Sequence, residues 1–204
     1  MVYDFAQLET QESVAELEKK LNEALQGKST SILVNNVGVM HVGSLEVASI
    51  ETVRQAINVN INAQTFMSQY MLPRLLVRSK MQGTKTRSAI ISLSSKAAEM
   101  STGYRPIYGS TKRYNLTLSQ ALNDYAEMHQ SENLDILSVI PASTTTIMNP
   151  NTKRIFTVRP QEHTKAVINH LARGYRQTRG SYWHAMQNWL EHNTILSPLA
   201  KPYL

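Results

Sequence analysis

The chain contains no cysteine. That excludes a disulfide framework, a thiolate metal site and a cysteine nucleophile, and it leaves the compartment unread from thiol usage. Apolar runs are short and interrupted, well below the roughly 18 consecutive apolar residues that a membrane-spanning helix needs. No basic region followed by an apolar run opens the N-terminus, so no secretory signal is visible. Glycine is scarce where nucleotide-binding proteins most depend on it. Before residue 30 there is only Gly27, at a predicted helix end. A glycine-rich strand-to-helix turn, of the kind that seats a pyrophosphate on a helix N-terminus, is therefore absent from the start of the sequence.

What is present suffices for one domain, because 204 residues of ordinary apolar content can bury a real core. The formal net charge of +6 comes from clusters at Arg74, Arg78, Lys80, Lys85 and Arg87, at Lys153, Arg154 and Arg159, and at Arg173, Arg176 and Arg179. Nucleic-acid binding calls for such charges interleaved with exposed aromatics on one surface. Here they fall at predicted helix ends and loops, as on an ordinary solvated surface, so no nucleic-acid partner is expected. An anionic cofactor, an acyl carrier or a membrane surface is the alternative reading of the charge.

Strands alternate with helices along the chain. Residues 2–5 read as the end of a strand. Residues 13–25 form an amphipathic helix with Val14, Leu17 and Leu21 at helical spacing, Ser13 and Glu16 as a capping box, and Gly27 as its stop. Residues 32–36 are a short apolar strand closed by Gly38. Residues 49–79 are helical, with Ile50, Val53, Ile57 and Ile61 as the apolar stripe and a kink expected at Pro73. Residues 89–93 are a buried strand ending in Ser94 and Ser95. Pro106 fits the first turn of a helix reaching about His129, since proline lacks only a donor that has no partner there. Residues 134–140 form a strand stopped by Pro141, residues 160–175 a helix and residues 181–186 a final strand. Residues 1–190 make the domain and 191–204 a C-terminal tail. This alternation predicts an α/β fold with a doubly wound parallel sheet.

In such sheets ligands bind at the carboxyl ends of the strands. Asn35-Asn36-Val37-Gly38, Ser94-Ser95 and the segment from Pro141 to Thr146 end three successive strands and face one crevice. Tyr108 and Lys112 stand one turn apart on one face of the helix that follows the second of them. A phenol has an ordinary pKa of about 10, so it handles protons at neutral pH only where something stabilises its anion, and a nearby ammonium can do that.

Together these features resemble the short-chain dehydrogenase/reductase family. The matches are NNVG at 35–38, Asn60 in VNINA, Ser95 thirteen residues before Tyr108, the YGSTK box at 108–112, and Thr146 five residues after Pro141. The NNVG variant, Leu72-Pro73 and the GSYWHAM stretch are similar to one branch in particular. That branch is the 17β-hydroxysteroid dehydrogenases related to very-long-chain 3-ketoacyl-CoA reductases, NADPH-using enzymes of the endoplasmic reticulum. The resemblance implies a Rossmann-like fold and an NADPH-dependent (or NADH-dependent) oxidoreductase acting on a ketone or secondary alcohol of a lipid-like substrate. It implies Tyr108 as general acid or base, Lys112 lowering its pKa and holding the nicotinamide ribose, Ser95 on the substrate oxygen, and Asn60 holding a water where the long helix is interrupted. Asn35 and Gly38 then meet the nucleotide, Thr146 the carboxamide and Asp4 the adenine.

By the same resemblance the chain begins near the family's third strand and lacks the first βαβ unit with its glycine turn. Residues 32–36 are then an unpaired apolar edge, the isolated chain is expected to be marginally stable, and cofactor binding is expected to be weak or absent. Alternatives that stay open are a non-catalytic remnant acting as an interaction partner, with the long helices building a homodimer, and a fragment of an incomplete gene model. Peripheral membrane association and a cytoplasmic setting also stay open. Residues 142–158 offer Ile147, Met148, Ile155 and Phe156 to an apolar chain, and Lys153 and Arg154 to CoA phosphates. The histidines His41, His129, His163, His170, His184 and His192 include no helical i, i+4 pair and read as non-metal. Asn115-Leu116-Thr117 matches a glycosylation sequon by pattern only, inside a predicted helix.

Overall fold

Strand β2 (Ser88–Leu93) holds the middle of the molecule because its side chains find apolar cover on both faces; all but Leu93 are buried. The computed structural model describes residues 1–81, 87–100, 103–146, 148–149 and 156–193; the expectations placed on Lys85, Ile147, Lys153, Arg154, Ile155 and residues 194–204 lie outside them. On one side β2 pairs in parallel with β1 (Ile32–Asn35), and on the other with β3 (Leu134–Val139), which pairs in turn with the short β4 (Gln177–Thr178). The sheet order is β1-β2-β3-β4, all parallel. Register sets Leu33, Ile90 and Ile136 in one row and Val34, Ile91 and Leu137 in the next. The period of two sends these rows to opposite faces.

The first row packs with Met71 and Leu75 of α3 (Ala63–Ser79) and Ala126 of α4 (Pro106–Met128). Ile91, Leu137 and Val139 on the other face meet Val167 and Leu171 of α5 (Pro160–Ala172). Helices thus cover both faces, and the expected α/β architecture is present. Among the described residues strand β1 has no neighbour on its outer side. Its Ile32 and Val34 remain 49% and 53% exposed, which makes it the apolar edge that the resemblance implies.

Four expectations are corrected. Residues 2–5 are not a strand: the chain runs without regular structure into a 3-10 turn, Phe5–Gln7, for which the Asp4 carboxylate accepts the Ala6 N–H at 3.0 Å. Tyr3 and Phe5 instead enter an apolar cluster with Leu17 and Leu21 of α1 (Gln11–Leu25) and Phe66 and Tyr70 of α3. An isolated strand has no partner for its backbone groups, whereas this packing partly buries both rings. Helix α1 starts earlier than the Ser13–Glu16 box implies, because Thr10 is the cap and Ser13 its reciprocal partner three residues on.

The apolar stripe Ile50–Val53–Ile57–Ile61 does not enter the core as a unit: Ile50 and Ile57 are exposed, and Val53 and Ile61 only half-buried. Between α2 (Ile50–Ile57) and α3 lies a π-turn, Asn58–Asn62, closed by the Ala63 N–H on the Asn58 carbonyl. One extra residue in a turn rotates everything beyond it by about 100°, so a stripe drawn at α-helical spacing across it breaks. The buried residues here are Ala56, Asn58, Val59, Asn60 and Ala63. Finally, residues 181–186 begin helix α6 (Tyr182–Asn193) rather than forming a strand. Gly180, at φ +74°, turns the chain after β4, and the Ser181 hydroxyl accepts the His184 N–H at 3.2 Å as a helix cap does.

Candidate active site

The loops after β1, β2 and β3 converge with the first turn of α4. Backbone bonds fasten them: the Ser94 N–H donates to Val139 at 2.8 Å and the Lys96 N–H to Pro141 at 2.9 Å. A 3-10 turn, Lys96–Ala98, follows Ser95 and lies against the start of α4. Gly109 permits that approach, since a Cβ there would stand 3.0 Å from the Ala97 carbonyl oxygen. The close contact brings Tyr108 beside Ser95, whose hydroxyl acts to lower the phenol's pKa. The Ser95 Oγ also accepts the Ala97 N–H at 3.2 Å, which fixes its direction.

Lys112, one turn on, is 4% exposed and donates from Nζ to the Leu93 carbonyl at 3.1 Å. The Ser94 hydroxyl bonds the Lys112 carbonyl at 2.6 Å and pins this turn of α4 to the end of β2. Asn60 is fully buried on the π-turn. Its Oδ1 accepts the Val39 N–H at 2.8 Å, and its Nδ2 donates to the Val39 carbonyl and to Thr111 Oγ1, both at 2.9 Å. Gly38 closes the group. A Cβ there would lie 3.1 Å from Lys112 Nζ and 3.3 Å from Asn60 Oδ1, so glycine is what lets the end of β1 pass over both.

Burial dominates the electrostatics. It lowers Lys112 from 10.5 to about 8. It raises Tyr108 above its usual 10.0, opposed by the Ser95 hydrogen bond and by Arg105. The expected lowering of the phenol by Lys112 is thus not found. The ammonium is directed to Leu93 and sits over the ring, 5.8 Å from its centroid. The site sets a phenol that is neutral at pH 7 beside a hydroxyl and a buried amine.

Ser95, Tyr108, Lys112, Asn60 and Gly38 are therefore brought together. Asn35 is adjacent but turned inward, its Nδ2 donating to Ser68 of α3 at 3.0 Å. Thr146 is exposed on a small bridge with Asn149 at the far end of the segment after β3. Asp4 caps its 3-10 turn, and that turn is tied to the π-turn by Asn58 Nδ2 on the Ala6 carbonyl at 3.1 Å. Sequence reading misses the supports: Thr111, Ser94, Gly109, and the His163–His184 pair, whose rings are 5.4 Å apart. Ser94 and Thr111 sit beside named residues, so adjacency was an available signal; nothing in the spacing of the two histidines announces their contact. Asn115, of the sequon, is buried in α4. The basic clusters are partly paired, Arg87 with Asp135, Arg176 with Glu127 and Arg179 with Glu99. No helix among the described residues is long and apolar enough to cross a membrane.

The sequence matches the family model described as short chain dehydrogenase over residues 2–155. It is similar to very-long-chain 3-oxoacyl-CoA reductase-A of Danio rerio, at 29% identity over 189 residues that cover 88% of this chain and 54% of the relative. It is also similar to the very-long-chain 3-oxoacyl-CoA reductase of Anas platyrhynchos, at 28% over 191 residues covering 89% and 58%. The chain spans about half the length of the curated relatives it matches. Among solved structures it resembles a short-chain dehydrogenase from Burkholderia cenocepacia in complex with NADP, with TM-score 0.73 and 18% identity, covering 99% of this chain and 77% of that one. A short-chain dehydrogenase from Sphingobium yanoikuyae in complex with NADPH gives 0.69 and 22%, covering 96% and 72%. At those identities the likeness speaks for the fold alone. The family match runs from before β1 to beyond β3 and takes in every residue gathered at the site, and on it the chain belongs to the short-chain dehydrogenase family, with relatives in the very-long-chain 3-oxoacyl-CoA reductase branch.

Proposed function

We propose that this chain carries the proton-handling site of an NADP(H)-dependent oxidoreductase that interconverts a ketone and a secondary alcohol on a lipid-like substrate, with a 3-oxoacyl thioester as the favoured class. The observation that supports it is the gathering of Tyr108, Ser95 and a buried Lys112, whose ammonium lies over the phenol ring, at the carboxyl ends of a parallel sheet. Tyr108 protonates the carbonyl oxygen, and Ser95 donates to the same oxygen and stabilises its developing charge. A phenol whose pKa is raised is neutral at pH 7, the form that a reduction requires.

The residues fit the nicotinamide end of such a cofactor. Lys112 has three N–H donors, its bond to Leu93 uses one, and Gly38 puts no side chain against its ammonium. When bound, the nicotinamide supplies the hydride. Lys112 then holds ribose hydroxyls, Asn60 fixes the β1 end beside it and supports a relay water, Asn35 and Gly38 shape the nucleotide side, Thr146 meets the carboxamide and Asp4 the adenine. No glycine-rich turn stands in the chain to receive the pyrophosphate. The branch resemblance adds a setting on the cytosolic face of the endoplasmic reticulum and work in fatty acid elongation or on steroids.

The test is NADPH-dependent reduction of a long-chain 3-oxoacyl-CoA by the chain and by Tyr108→Phe. Turnover that falls by at least about a hundredfold in the variant is expected; equal turnover in both refutes the assignment. A second reading is a non-catalytic partner that dimerises. It is favoured by the exposed Ile50 and Ile57 on α2 with Tyr114 and Tyr125 on α4. Sedimentation showing a dimer in a chain that binds no NADPH supports it.

A further inference from the structure

Two imidazoles far apart in sequence meet behind the segment that leaves β3. His163 on α5 and His184 on α6 are both buried. His184 lies along the backbone of that segment, its Nε2 2.9 Å from the Ser143 carbonyl oxygen and its Nδ1 3.3 Å from the Ala142 nitrogen. A carbonyl only accepts and an amide N–H only donates. The two contacts together therefore require a neutral ring with its proton on Nε2. The same Nδ1 lies 3.4 Å from the Arg179 carbonyl oxygen, a contact between two acceptors that the neutral ring cannot use. A second proton reverses the choice: Nδ1–H donates to Arg179, and the Ala142 N–H is left facing a donor. One nitrogen has two discrete partners, selected by the charge on the ring.

We propose that His184 is a positioning residue for the segment 142–146. Neutral, it holds Ala142 and Ser143; doubly protonated, it releases Ala142 and takes Arg179. The inference rests on the functional reading above only in that this segment ends at Thr146, the residue given to the nicotinamide side.

The surroundings favour the neutral, holding state. His163 faces the ring from α5, with its Nε2 3.3 Å from the Arg179 carbonyl oxygen. Lys96 reaches in from the turn after Ser95 and is paired with Glu191 of α6, and Arg179 is paired with Glu99 at 2.5 Å. Burial lowers His184 below the usual 6.5, with Lys96 adding to it against the hydrogen bonds to Ser143 and Arg179. Burial and His184 bring His163 to about 4. Gly180 makes the pair's space, because a Cβ there would stand 2.2 Å from His163 Nε2. Release therefore belongs to acid pH, below the ordinary histidine range.

The experiment is an NMR pH titration of the full chain without cofactor. It follows the His184 ring and the exchange protection of the Ala142 amide, corrected for intrinsic rates, in wild type and in His184→Gln. Glutamine offers a donor to Ser143 but does not titrate. In wild type the Ala142 protection should fall about tenfold, the size of one hydrogen bond, with the midpoint at which the His184 ring titrates. In the variant the step should vanish. A step that persists in His184→Gln, or a wild-type midpoint separate from that of the ring, overturns the proposal. The wild-type comparison decides the matter even if the variant does not fold. No cofactor enters the measurement, so a chain that binds no NADPH sinks the functional reading and leaves this test intact.

Discussion

Replacing Asn60 by alanine removes three hydrogen bonds in one step, all in a site where water does not easily substitute. The bonds run to the Val39 N–H, the Val39 carbonyl and Thr111 Oγ1, at 2.8, 2.9 and 2.9 Å. At about 1 kcal/mol net for each, the variant loses about 3 kcal/mol, a large share of the roughly 5–15 kcal/mol that holds a domain together. For a chain of this size that is a fall in melting temperature of roughly 6–12 °C. With an m-value of about 2 kcal/mol/M, the urea midpoint drops by about 1.5 M. Circular dichroism during thermal and urea unfolding reads both. Thr111→Val supplies the partner for a double-mutant cycle, and a coupling of about 0.5–1 kcal/mol is expected between the two positions. A loss below about 1 kcal/mol for Asn60→Ala, or strict additivity with Thr111→Val, refutes the idea that this amide joins the end of β1 to α4.

Lys112 gives a pH signature. Its folded pKa of about 8 lies below the ordinary 10.5, so between these values the unfolded chain binds more protons and stability rises with pH. Relative to Lys112→Met, wild type should gain about 2 kcal/mol between pH 7.5 and 10; a flat difference refutes the burial of the charge. Gly174 and Gly180 have similar φ, +72° and +74°, but only Gly180 has a side chain where a Cβ would go. Alanine at 174 should cost about 1 kcal/mol from backbone alone, and alanine at 180 at least about 2 kcal/mol more; equal costs in urea unfolding deny the His163 contact. Val34→Lys charges the free edge without touching the core, so it should reduce aggregation, read by light scattering on heating, while changing the unfolding free energy by less than about 0.5 kcal/mol.

Local rules carried much of the fold. Pro106 marked the first residue of α4, and the apolar runs at β2 and β3 were bounded to within a residue, while the exposed edge of β1 followed from the family resemblance rather than from any local rule. The failures share a cause. Tyr3 and Phe5 look like strand residues until the cluster with α1 and α3 is known, and tertiary packing overrides such weak local preferences. The phase of α2 could not be read because the π-turn has no sequence mark, so a stripe drawn at one period is turned by an insertion. At the site, residue identities at fixed spacing named Ser95, Tyr108, Lys112 and Asn60. Their supports were hidden because a hydrogen bond such as Ser94 to the Lys112 carbonyl, or a close pass such as Gly38 over Lys112, depends on how separate elements meet.

The π-turn also divides the long helical segment into two parts whose substitutions answer to different neighbours. Beyond it, α3 is committed to the sheet through Met71 and Leu75, and changes there must respect the volume of the core. Before it, α2 turns Ile50 and Ile57 outward, so that surface can drift toward polar residues or toward a self-complementary patch without disturbing a strand. Asn60 sits on the joint between the two. A single-residue deletion within 58–62 would restore one continuous helix at the cost of swinging that amide away from Val39. The site around Tyr108 and the outer surface are thus free to change separately only while the extra residue stays.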